Sequence, residues 1–186
     1  MLRALLILLA MLWPAFAIAE PLTFVAIASG EKVREADYEQ FLEKVAPIWT
    51  RHGMRVVFRA DASGDAADTF TDIVLIEVES RAGFQAYLAD PAYRIIAPIR
   101  FEAVDHLAIL EGARTVLPPA FEPGTPINIL FQRECEAGTP GARVALVGAV
   151  KGEMADFYSE TGCVRFFTTG DIPASDVLAG FAATIR

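Results

Sequence analysis

Residues Ala36–Ala60 read ADYEQFLEKVAPIWTRHGMRVVFRA. Tyr38, Phe41, Leu42, Val45, Ile48 and Trp49 recur three and four positions apart, which draws one apolar stripe down a helix. Pro47 removes one hydrogen bond from that helix and predicts a bend near Val45, and Gly53 stops it. The residues that follow switch to period two, with Met54, Val56, Phe58 and Ala60 on one face and Arg55, Val57 and Arg59 on the other. A helix that runs straight into such a strand needs a sheet to lie on, so the flanking segments are read as the rest of that sheet.

LTFVAIAS (Leu22–Ser29) reads as a strand that is apolar on both faces. DASGDAAD after Ala60 is a hairpin loop, and FTDIVLIEV (Phe70–Val78) is a third segment with an apolar middle. Ser80 is placed to cap a second helix carrying Phe84, Tyr87 and Leu88, which Asp90-Pro91 ends or restarts as the short turn PAYRIIAPIR. VDHLAILE (Val104–Glu111) closes the set. The order β-α-β-β-α-β is the ferredoxin-like pattern, and the fold class is α+β. Helices cover one face of a four-stranded sheet, yet Phe24, Val25, Ile27, Ile73, Val74, Leu75 and Ile76 populate both. Each large side chain left wet would forgo about 1.5–3 kcal/mol, so a second sheet is expected, from a twin subunit or from the C-terminal part of this chain.

DPAYRIIAPIR followed by VDHLAILEG, taken with the Pro47 helix and the HGMRVVFR strand, resembles the DUF1330 family, a branch of the dimeric α+β barrel superfamily. The resemblance covers about residues 22–112 and includes the spacing of Tyr93 and Arg100. It implies a ferredoxin-like domain that pairs through its open sheet face, and it implies no established reaction.

MLRALLILLAMLWPAFAIAE opens the chain with Arg3, an apolar run and small residues at Ala17 and Ala19, the pattern of a secretory leader cut before Glu20. Removing residues 1–19 leaves 15 basic against 24 acidic residues, a net charge of −9. That balance disfavours nucleic acid as a partner, and no membrane attachment is expected after cleavage. Export also makes Cys135 and Cys163 candidates for a disulfide.

The expected organisation is a leader (1–19), a ferredoxin-like domain (20–112), a Pro-rich linker (113–126) and a small C-terminal α/β extension (127–186). In the extension, INILFQRE (Ile127–Glu134) and CVRFFT (Cys163–Thr168) read as strands, KGEMADFYSETG as a helix and Ser175–Ile185 as a terminal helix. Residues 143–150 fit a helix or a strand. A bridge between Cys135 and Cys163 favours the strand, because only then do both cysteines reach one sheet edge. ETGCVRFFTTGD echoes RHGMRVVFRADASGD, either as a degenerate second copy of the first domain or through a shared helix-Gly-strand template.

No GxGxxG, GxSxG, P-loop or HExxH string occurs, and two histidines do not furnish a His-rich metal site, so no metal or cofactor is implied. Arg55 and Arg59 share a strand face. They would either point into a cleft between paired sheets, where they suit a carboxylate, or be solvated or paired with acids. His106 shares its face with Val104, Ala108 and Leu110, as a satisfied core residue or as a proton-transfer or ligand-binding group. Tyr93 and Arg100 would hold the segment after the second helix or contribute to a ligand, and His52 would cap the first helix. The resulting expectation is an exported binding or accessory protein that takes a small, partly apolar or anionic ligand in a cleft on the open sheet face. The alternatives are a cofactor-independent monooxygenase or isomerase using Arg55, Arg59 and His106, and a structural interaction module.

Overall fold

The computed structural model describes residues 21–63, 68–113, 122–134, 142–146, 160–168 and 177–186. The expected leader, Cys135 and most of the KGEMADFYSETG helix lie outside these residues. In the first half, strand β1 (Leu22–Glu31) leads through a short turn into helix α1 (Glu35–Arg51). The hairpin of β2 (Met54–Ser63) and β3 (Thr69–Val78) follows, then helices α2 (Arg81–Ala89) and α3 (Pro91–Ala103), and β4 (His106–Ala113). The second half supplies β5 (Pro126–Gln132), β6 (Ala142–Leu146), β7 (Cys163–Thr168) and β8 (Val177–Ile185).

Local chemistry sets most of these boundaries. Gly53 takes φ +67°, a left-handed conformation that releases the chain from α1 into β2. Ser80 accepts a hydrogen bond from the Gly83 N–H and starts α2. The segment expected to be a short turn is instead the 13-residue α3: Asp90 accepts from the Ala92 N–H, and Pro91, at the first helical position, has no N–H to lose.

The strands form a closed barrel in the order β1-β3-β2-β8-β5-β7-β6-β4. The first half contributes β4-β1-β3-β2 and the second β8-β5-β7-β6, the same order when each half is counted from its own first strand. Ala60–Ser63 of β2 pair with β8, and Leu110–Gly112 of β4 pair with β6, both antiparallel. The terminal segment expected as a helix is therefore strand β8, and residues 142–146 are strand as well. β8 joins the edges of two sheets, and that pairing overrides the short-range helical pattern.

Two cores result. Inside the barrel, Val25, Ile27, Ile73, Leu75, Ala108 and Leu110 pack against Ile127, Ile129, Phe131, Val164, Phe166, Ala183 and Ile185. On the outside of β1–β4, Phe24, Ala28, Val74, Ile76 and Leu107 pack against α1 through Tyr38, Phe41, Leu42, Val45, Ile48 and Trp49. The strands apolar on both faces thus have one face in each core.

Candidate functional site

The face of the first sheet expected to hold an open cleft is the one filled by the barrel core, so the cleft is absent there. A β-bulge between Val56 and Phe58 redirects β2. Phe58 and Ala60 turn into the barrel and Arg59 turns toward the helices, the reverse of strict alternation from Met54. Arg55 is two-thirds exposed and pairs with Glu77, beside an open groove of about 590 Å³ along the start of β2. Arg59 bonds both oxygens of Glu39 at 2.8 and 3.0 Å and Asp72 at 3.0 Å. Both arginines are thus paired with acids. Arg186 joins the second group, reaching Asp61 at 2.5 Å, Glu35 at 3.1 Å, and Glu39.

His106 shares its strand face with Ala108 and Leu110, which lie in the barrel core, and its half-buried side chain leaves Nδ1 without a hydrogen-bond partner. It lines neither of the two cavities described here. The register places Arg55 level with Gly112, six residues along β4 and so roughly 20 Å from His106. Arg55, Arg59 and His106 therefore do not assemble into one reacting centre. Among the described residues no cluster of His, Cys, Asp or Glu could hold a metal ion.

What the fold does assemble lies on the opposite face. A cavity of about 240 Å³ sits between the outer side of β1–β4 and helices α1–α3. Tyr38, Phe41 and Trp49 come from the stripe of α1, and Phe84 and Tyr87 from α2. Tyr93 and Arg100 come from α3, where seven residues make two turns and return to the same side. The Phe24 and Phe84 rings stack at 4.2 Å, and Tyr87 and Tyr93 meet at 4.2 Å.

Arg100 is only 7 % exposed. Its Nη2 donates to the Tyr93 hydroxyl at 2.9 Å, and its guanidinium carbon lies 5.2 Å from the Phe41 ring centre and 5.1 Å from that of Phe101. Its Nε has no hydrogen-bond partner, the indole N–H of Trp49 in the same cavity has only a weak contact with the Tyr87 hydroxyl, and no carboxylate among the described residues pairs with the charge. Cation–π contact offsets part of the charge, yet it leaves the donors unmet. Burial pushes the Tyr38 and Tyr87 hydroxyls well above their usual range, with Asp72 adding to the first and Tyr93 to the second, so both stay protonated at neutral pH. Burial also raises the Asp72 carboxyl, against the pull of Arg59.

Two contacts brace the cavity wall. Asp90, at the junction of α2 and α3, lies 2.7 Å from His52 Nε2 and 2.5 Å from Arg51 Nη2 at the end of α1. A Cβ on Gly83 would come within 2.7 Å of the His52 carbonyl oxygen, so only glycine lets α2 approach this closely.

Tyr93 and Arg100, both candidates from the sequence, are brought together by the structure. Tyr38, Trp49 and Tyr87, which join them at the cavity, read in the sequence as ordinary core. The available signal was an arginine on the buried side of a helix otherwise turned inward through tyrosine and alanine.

Two four-stranded sheets of the same strand order closed edge to edge, with α1–α3 outside the first, define the dimeric α+β barrel type, here completed within one chain. Residues 25–113 match the sequence model of DUF1330, a domain of unknown function. No curated protein matches the chain. Among solved structures, a monooxygenase-like protein of Fusobacterium nucleatum is 11 % identical with a TM-score of 0.52, over 90 % of this chain and 93 % of that one. That likeness spans both halves of the barrel. A protein of unknown function from Rhodopseudomonas palustris is 19 % identical over 54 % of this chain and 85 % of its own, with a TM-score of 0.44. The cofactor-independent oxygenase SnoaB from Streptomyces nogalater is 19 % identical over 56 % of this chain and 100 % of its own, with a TM-score of 0.36.

Proposed function

We propose that this is an exported binding or accessory protein that holds one small, largely apolar ligand with an anionic group in the cavity between α1–α3 and the sheet. The observation that carries this reading is Arg100: a buried, permanently charged guanidinium, with no acid beside it, facing an aromatic space. A charge in that position is costly unless something else balances it. Arg55, Arg59 and His106 lie too far apart to serve one reacting group, which disfavours an enzymatic role through them.

Export rests on the leader pattern of residues 1–19, with the bacterial periplasm as the destination. The same setting supports a bridge between Cys135 and Cys163: Cys163 is buried opposite Gln132, three residues before Cys135. No helix among the described residues is long and apolar enough to cross a membrane. Closure of the barrel within the chain also supports a single-chain protein whose sheet edges need no twin subunit.

Native mass spectrometry of protein purified from the periplasm tests the reading, backed by thermal shifts with small aromatic and aliphatic compounds. A retained small molecule, or shifts that vanish when Ala26→Phe fills the cavity, is the expected result. Failure of every compound to stabilise the native protein, with nothing retained, overturns it.

A further inference from the structure

We infer that the occupant of the helix-side cavity is a planar aromatic carboxylate, its ring held among the aromatic side chains and its carboxylate bound by Arg100. The inference rests on the reading of that cavity as a ligand site and specifies its chemistry.

Three features select this class. First, the charge. Arg100 brings a guanidinium to the cavity, and an entering anion supplies the counter-charge that the described residues do not. A carboxylate is ionised throughout that range, whereas a phenol is not. Second, the donors. Arg100 Nε and Trp49 Nε1 are both buried on residues that line the cavity; Nε has no acceptor, and the indole N–H has only a weak contact with the Tyr87 hydroxyl. A carboxylate offers two oxygens and no proton, which suits donors facing it and makes each hydrogen bond charge-assisted. A neutral alcohol would bring a proton into a space already occupied by donors. Third, the shape. Eight of the 17 lining residues are aromatic; the Phe24 and Phe84 rings stack at 4.2 Å, and Tyr87 and Tyr93 meet tilted at the same distance. Walls of that kind favour a flat π-system over a flexible alkyl chain, because ring stacking adds to simple area burial and a rigid ligand loses little rotamer freedom.

The Tyr93 hydroxyl fixes the guanidinium by accepting from Nη2, and Nε stays among the N–H groups left without an acceptor. Trp49 approaches from α1 and Arg100 from α3, so the two donors come to the cavity from different helices.

The test is isothermal titration of the native, full-length exported protein with naphthoate, its neutral counterpart naphthamide, and octanoate. The expected result is that naphthoate binds about tenfold or more tightly than either of the others. Arg100→Met should remove the preference for naphthoate over naphthamide, and Trp49→Phe should weaken naphthoate several-fold while the Arg100-dependent preference persists. Equal binding of naphthoate and naphthamide by the native protein overturns the inference about charge and leaves the ligand site standing. Octanoate binding as well as naphthoate overturns the aromatic part. No binding by any of the three, with the native protein also unmoved by small apolar compounds, overturns the inference and the ligand site together. The comparison among ligands on the unaltered protein holds even if Arg100→Met does not fold.

Discussion

The Nη2 of Arg100 donates to the hydroxyl of Tyr93 at 2.9 Å, two turns away on the same helix and inside the same core. Tyr93→Phe removes the acceptor and leaves another buried guanidinium N–H unmet. The expected cost is about 1–3 kcal/mol in denaturant unfolding, well above that of losing an exposed hydroxyl. A change near zero would mean that water reaches Arg100.

Trp49 is the only tryptophan outside residues 1–19, the other being Trp13. Its ring lines the cavity, so in the protein lacking the leader any occupant should quench or shift the emission. Titration with an aromatic acid followed by fluorescence checks this, and a spectrum unmoved at saturation by calorimetry would place the ligand elsewhere.

Leu75 belongs to the first half and Ile129 to the second, yet both are fully buried in the single core inside the barrel. Leu75→Ala and Ile129→Ala should each cost about 2–5 kcal/mol and shift one shared unfolding transition. Two separate transitions, each moved by only one substitution, would mean that the halves fold independently.

The Asp90 carboxyl is held well below its usual range, first by His52 and then by Arg51. A carboxyl whose folded value is depressed contributes stability that is complete above its unfolded value of about pH 4 and is lost as pH falls toward the folded one. Asp90→Asn should therefore lower stability at neutral pH and flatten the acid side of the stability curve. An unchanged acid limb in thermal scans from neutral to strongly acidic pH would rule out this linkage.

The order of elements through β4 was legible because each carries a periodic signal of its own: the stripe from Tyr38 to Trp49, the alternation after Gly53, the cap at Ser80. The demand for a second sheet was legible too, from strands apolar on both sides. What escaped was non-local. Val177–Ile185 is short and rich in alanine, and only its pairing with β2 and β5 makes it a strand. The bulge at Val56/Phe58 leaves no mark in the residue types, yet it turns Arg59 toward the helices and Phe58 into the barrel, the reverse of the alternation counted from Met54. The cavity was hidden for the same reason: a tyrosine that lines a space and one that fills it look alike in a string of letters.

Ala113 and Pro126, the last residue of β4 and the first of β5, bound a tether of a dozen residues between the two halves. A short link of this kind keeps its ends together at an effective concentration in the millimolar range, so dilution does not pull the barrel apart as it would a pair of separate subunits. It also frees the halves from duplication. In a twofold assembly every substitution is made twice, but here the first half can keep a buried arginine without requiring a copy of it in the second.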